Sequence, residues 1–240
     1  MPSKAIDDET MDAALLEPSR PVIEYPEYVR ADFVRRVYGL VATQLAATGG
    51  VAAWLMLDVR ARAALPAGAP PAAGAVALAL LCGLSCARSR PAVATALFCG
   101  FTAAESVAVG GVCAAYAEAN LAPLVLCAMA TSLALFAGLS LVVLITRRDF
   151  GALGGWLAGG LLALISFGLV DLLLGPFGAA RLVVSAAGVL LFSGFVLFDT
   201  SQLLHSLTPD DALVAAVQLY LDVLNLFLLM LDVLRGGGGS

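Results

Sequence analysis

Two aspartates stand where a carboxylate is costly. The stretch "AAVQLYLDVLNLFLLMLDVLR" is apolar, yet it carries Asp222 near its middle, with Gln218 one turn before and Asn225 one turn after. Asp199 lies 23 residues upstream in "LLFSGFVLFDTSQLL". A charge at mid-membrane costs at least ~2.5–3.5 kcal/mol, so such residues face a bundle interior and mark ion or proton paths. Two carboxyl groups in one low-dielectric site do not both ionise cheaply. They share a proton and titrate as a unit. Protonated, the pair is a hydrogen-bonded latch between two helices. Ionised, it repels itself or takes up a cation, and hard cations such as calcium prefer carboxylate and carbonyl oxygens. The residue types therefore fit a proton-sensitive gate that is also a transient calcium site at Asp199 and Asp222. A purely structural polar contact between helices, such as Asn225 to a backbone carbonyl, fits the periodicity equally well.

The elements that position these groups are membrane helices. The 240 residues are 61% hydrophobic and 13% charged, with a mean hydropathy of +0.96. A soluble domain carries about 25% charged residues. Apolar runs long enough to cross a ~30 Å hydrocarbon core occur seven times, at roughly 33–57, 71–87, 91–116, 121–145, 152–174, 181–204 and 212–234. The fold class is thus all-α, a seven-helix membrane protein whose transmembrane domain occupies 33–234, with no room for a separate soluble domain. Residues 1–32, with "DDETMD" and several prolines, read as a flexible, solvated cytosolic tail. No cleavable leader is expected, and the first span would serve as the anchor. Residues 235–240 form a C-terminal end with a linker-like "GGGGS". The net charge of −5 gives no reason to expect a nucleic-acid partner.

Lys and Arg set the orientation. The N-terminal side receives Lys4, Arg20, Arg30, Arg35, Arg36, Arg88, Arg90, Arg147 and Arg148, nine in all, against Arg60, Arg62, Arg181 and Arg235 on the other. The N-terminus is therefore expected in the cytosol. Trp54 and Tyr116 fall at far-side span ends and Trp156 at a cytosolic one, as in aromatic belts. The short connection "HSLTPDD" makes spans six and seven antiparallel neighbours. Counted from its middle at ~1.5 Å per residue, Asp199 and Asp222 lie in the same half of the bilayer, offset by ~7 Å. In span seven Asp211, Gln218, Asp222, Asn225 and Asp232 share a face, opposite apolar Leu224, Leu228 and Leu231. A weaker stripe in span six joins Arg181, Ser185, Gly188, Asp199 and Gln202. Asp171 reads as a solvated acid at a span end, as does Asp232 beside Arg235. The five cysteines, Cys82, Cys86, Cys99, Cys113 and Cys127, read as small packing residues. Gly155-x-x-x-Gly159 reads as internal packing rather than a partner contact. His205 is the only histidine, which argues against a zinc hydrolase.

"LYLDVLNLFLLML" resembles the C-terminal signature of the transmembrane Bax inhibitor motif family, also called the lifeguard or Bax inhibitor-like family. Other segments match in order. "FVRRVYGLVATQLAATGG" resembles the start of the family's first span and "FTAAES" its Phe-Thr-x-x-Glu element. "LITRRDF" is similar to Thr-Lys-x-Asp-Phe, and "GVLLFSGFVLFDTSQLL" to the element ending in Asp-Thr-Gln. The likeness spans about 30–234. It implies a bundle of six helices around a central, last one. It also implies calcium leak from intracellular stores, protection from cell death, and a proton-sensitive latch at Asp199 and Asp222. Glu105 matches the acidic position of span three, a third pore-lining candidate beside Gln218, Asn225 and Gln202. The chain departs from the pattern in "DTSQ", which displaces Gln202 by one position, and in "TRRDF". Some members pair the latch with an arginine of span two. Residues 71–87 contain none, leaving Arg88 or Arg90 at that span's end as latch partners. Ala-rich spans and brief loops suit a divergent copy carried by a large DNA virus, a viroporin.

The resulting expectation is a calcium-permeable, pH-sensitive leak channel of the endoplasmic reticulum or another intracellular membrane. Its partners would be the lipid bilayer, calcium, protons and host membrane or cell-death proteins. No enzyme activity and no resident cofactor are expected. The alternative is a non-conducting regulator that binds cell-death or adhesion-related membrane proteins.

Overall fold

The computed structural model describes residues 21–87, 90–175 and 179–237. Residues 1–20 of the expected tail, Arg88 and the last residues of "GGGGS" lie outside this set. We number the seven spanning helices α1 (Glu27–Leu57), α2 (Ala69–Cys86), α3 (Pro91–Glu118), α4 (Ala122–Thr146), α5 (Gly154–Leu174), α6 (Ala179–His205) and α7 (Ala212–Gly237). All seven are long and apolar enough to cross a membrane, and among the described residues there is no strand. Backbone polar groups in hydrocarbon must be satisfied within the segment, which only the helix achieves for separate spans.

Local chemistry sets the helix ends. Proline lies in the first turn of α2, α3 and α4, where its missing N–H costs nothing. Arg147, in the left-handed region at φ 52°, ends α4, and Gly175 at φ 92° ends α5. A helix of six residues, Val59–Ala64, follows α1, capped by Asp58 Oδ1, which accepts from the Arg60 and Ala61 amides at 2.8 and 3.2 Å. Before α7, Thr208 and Asp211 form a capping box on a 3-10 turn. The tail boundary expected at residue 32 shifts: α1 begins at Glu27, and Val22 is buried with its N–H on the Leu207 carbonyl at 3.0 Å.

The last helix is the centre. Of the most apolar stretch of α7, 56% is buried, against 6–33% for the other six spans. It runs along α6 and also meets α1, α4 and α3, while α5 touches the bundle through α6. Outward-facing Leu, Ile and Val side chains, such as Leu141, Ile165 and Leu190, form the surface that hydrocarbon would cover. Trp54 and Trp156, at span ends, are also exposed.

Two packing expectations are overturned. Gly155 and Gly159 face outward, with open space where a Cβ would sit, and it is Gly154 and Gly160 that meet Phe198 and Leu191 of α6. A GxxxG spacing marks a smooth face without saying which way the helix turns it. Only Cys113 is buried; Cys82, Cys86, Cys99 and Cys127 are exposed on the bundle surface.

The loop between α4 and α5 is tied to α6. Ser201 Oγ accepts from the Phe150 amide at 2.8 Å and donates to Asp149 Oδ1 at 3.3 Å. Asp149 Oδ1 also accepts from the Gly151 amide at 2.7 Å. That amide holds the Asp149 carboxylate below its ordinary range, with Ser201 and nearby His205 acting in the same sense. A depressed carboxylate stabilises the fold fully above its unfolded-state value, and the contribution is lost as pH falls through the lower folded-state value. His205 ends α6 rather than lying in a loop, with Nδ1 at 3.0 Å from the Ser201 carbonyl.

Gly111 of α3 faces Pro70, whose ring carbon would stand 2.3 Å from an added Cβ. Gly111→Ala should therefore destabilise the α2–α3 pair by about 1–3 kcal/mol, whereas Gly155→Ala should not; thermal unfolding in detergent distinguishes them. Ser201→Ala should abolish amide-exchange protection at Phe150. In the parent that protection should persist from neutral pH down to the ordinary carboxylate range.

Candidate functional site

Asp199 and Asp222 meet. One lies toward the end of α6 and the other toward the start of α7, and the antiparallel hairpin brings their carboxyl groups within interaction range of each other. Asp222 is 4% exposed and Asp199 half-buried. Two carboxylate ions have no donor between them, so a hydrogen bond between the two requires one of them to carry a proton. Asp222 Oδ2 is buried with no hydrogen-bond partner. The next residue of α6, Thr200, is fully buried, its hydroxyl 3.5 Å from Tyr38 Oη of α1 and 3.4 Å from Ser140 Oγ of α4. Helices α1 and α4 thus meet α6 at the residue next to Asp199.

The other candidates separate. Asn225 Nδ2 donates to the Leu221 carbonyl of its own helix at 2.8 Å, so it bridges no second helix. Gln202 Oε1 accepts from Ser206 one turn on. Gln218 is exposed, one turn nearer the face that carries the α6–α7 connection, here called the near face. Arg90 is exposed before the first turn of α3, and no ion pair among the described residues joins an arginine to either aspartate. At the opposite, far face, Asp232 pairs not with Arg235 but with Arg181, at 3.2 Å. Arg181 also approaches half-buried Asp171 at 4.0 Å, joining the far ends of α5, α6 and α7. Arg235 instead lies over the Tyr116 ring, 5.9 Å from its centroid.

Glu105 belongs to a different cluster. It is half-buried on α3, within electrostatic reach of Tyr220. Among the described residues no three His, Cys, Asp or Glu side chains gather into a metal-sized group, so Glu105 forms no common ligand set with the aspartates. Beside it, Thr48 Oγ1 lies 2.7 Å from Tyr220 Oη and 3.0 Å from Ser106 Oγ. Ser106 Oγ donates to the Thr102 carbonyl at 2.6 Å, and Gln44 Nε2 donates to Thr102 Oγ1 at 3.0 Å. Polar type alone does not single these residues out in the sequence, although Gln44 and Thr48, and Thr102 and Ser106, are each four apart on apolar helices. That spacing is the signal that places two polar groups on one face.

Chemically, the aspartate pair can hold or release a proton and, once ionised, present carboxylate oxygens to a cation. The sequence model described as "Inhibitor of apoptosis-promoting Bax1" matches residues 30–239. A vaccinia virus protein (strain Lister), "Golgi anti-apoptotic protein", is 33% identical over 212 residues, covering 87% of this chain and 86% of the relative. Mouse "Protein lifeguard 4" is 33% identical over 211 residues, with the same two coverages. Fission yeast "Bax inhibitor 1" is 32% identical over 113 residues, 47% of this chain and 42% of the relative. With a buried carboxyl pair on its last hairpin and likeness along most of its length, the chain belongs to the Bax inhibitor motif family.

Proposed function

We propose that the protein is a calcium-permeable, proton-sensitive leak channel of an intracellular membrane, which lowers store calcium and so protects the cell from death. The observation that carries this reading is the buried Asp199–Asp222 contact between α6 and α7. A purely structural link would be served as well by neutral partners, without the desolvation cost of acids. An acidic pair adds a state that can be switched. With its proton, it holds α6 to α7. Without it, like charges push the helices apart and the oxygens turn to a cation. Calcium is the permeant ion and no resident cofactor or enzymatic step is involved. The N-terminus is cytosolic on the count of nine basic residues against four. The endoplasmic reticulum or another intracellular membrane suits the relative named as a Golgi protein, and the anti-apoptotic names of relatives support the cellular role.

One observation favours a second reading, a regulator that binds other membrane proteins: the outward Gly155–Gly159 face of α5 leaves room for a close-packed partner helix.

Purified protein in liposomes with a trapped calcium dye separates the two. The parent should admit calcium, and more of it as pH rises and the pair loses its proton. Asp222→Asn removes the switchable charge while keeping shape and hydrogen bonding, so its leak should be low and flat with pH. A parent that admits no calcium at any pH sinks the channel reading. A mutant with the parent's pH profile sinks the latch.

A further inference from the structure

Between the far halves of α1 and α4 lies a cavity of about 150 Å³. Its outer rim on α4 is Leu126, Met129 and Leu133, which are exposed and belong to the surface that hydrocarbon covers. Its inner wall is the central helix: Val223, Leu224 and Phe227 of α7, only 3%, 5% and 7% exposed. Nearer the other face the two outer helices meet through the rings of Tyr38 and Phe136, with centroids 5.9 Å apart. Gly49 keeps the α1 wall open, since an added Cβ there would meet nothing within 4 Å.

The wall offers nothing to water. Two hydroxyl residues line the cavity, but Thr48 turns its oxygen to Tyr220 and Ser106, and Ser132 Oγ is buried. A water needs roughly two to four polar partners, so such a space stays dry. A dry void leaves its wall without dispersion contacts on one side. An apolar cavity of this volume takes up a molecule of about benzene's size, ~6 carbons. A partner helix, ~10–12 Å across, is far too wide for it, whereas a hydrocarbon chain is not.

The depth matches one leaflet. Thr48 stands nine residues before Leu57, the far end of α1, which is ~14 Å along the helix. Ser132 stands ten residues after Ala122, the far end of α4, which is ~15 Å. Both distances equal half of a ~30 Å hydrocarbon core. The cavity therefore runs alongside the chains of the far leaflet and closes where those chains end. Its rim is continuous with the lipid-facing surface, which identifies the occupant as hydrocarbon already in the bilayer.

We propose that this cavity is a lipid-chain site: the end segment of one acyl chain, from a phospholipid of the far leaflet, enters between α1 and α4 and lies against Val223, Leu224 and Phe227 of α7. The central helix is then packed partly by the bilayer, on residues that directly follow Asp222 in the chain. The length and shape of the lipid chains reach the middle of the bundle by this route. The site does not depend on ion conduction.

The test uses the full chain in phosphatidylcholine liposomes that carry a trace of phosphatidylcholine with a diazirine near the end of one acyl chain. After illumination, labelled positions are mapped by peptide mass spectrometry. Label is expected on α7 within Val223–Phe227 as well as on the outward residues of α4. Gly49→Leu puts an isobutyl group into the open space, and Ala53→Phe narrows the mouth at an exposed lining position. Each should lose the α7 label and keep the α4 label. Gly138→Leu, exposed on α4 with equally open space around it, should keep both. Unfolding temperatures identify a filling variant that has lost its fold, and the other then decides. Label confined to outward residues in the parent overturns the site, as does α7 label that survives both fillings. Calcium entry plays no part, so the outcome holds whichever way the channel reading falls.

Discussion

The structure depends on keeping a carboxyl group dry. Asp222 sits on the most enclosed helix of a bundle whose exterior is hydrocarbon-like. An ionised acid at such a depth costs at least ~2.5–3.5 kcal/mol, and removing water strengthens every interaction it makes. The response is a second carboxyl group, Asp199, brought to it by the short antiparallel hairpin of α6 and α7. Much else in the bundle serves that meeting. Thr200 is held by hydroxyls from α1 and α4, Ser201 is clasped by the loop before α5, and Arg181 draws the far ends of α5, α6 and α7 together.

The spans were legible because hydrocarbon imposes a length and a composition. All seven expected runs coincide with helices to within a few residues, apart from an earlier start to α1. The meeting of Asp199 with Asp222 was legible for a geometric reason: a short loop makes the helices antiparallel, and counting residues from it gives depth. Rotation about a helix axis was harder to read. The faces of Gly155 and Gly159, the surface positions of four cysteines, the helix-internal bond of Asn225 and the pairing of Asp232 all turn on which neighbour a helix presents its side to. In a soluble protein the polar face points to water and settles that question. Here both lipid and protein interior are apolar, so hydrophobic pattern carries little rotational information.

The hydroxyl cluster around Tyr220 is hard to read from sequence for a related reason. Thr, Ser and Tyr in membrane helices bond back to their own backbone so often that they read as neutral. Thr43, Thr95, Thr131 and Ser166 do so here. Thr48 differs because it bonds across to two other helices. Only the three-dimensional arrangement separates a hydroxyl that satisfies itself from one that joins neighbours.

The strand of chain ahead of α1 closes on this machinery from outside. Val22 is sunk into the bundle and its amide is held by Leu207, a residue of the turn that lies between the two acids. The amino-terminal segment is thus stitched to the hinge of the hairpin. Tension, crowding or a bulky attachment applied to that segment is delivered mechanically to the turn on which the spacing of α6 and α7 depends.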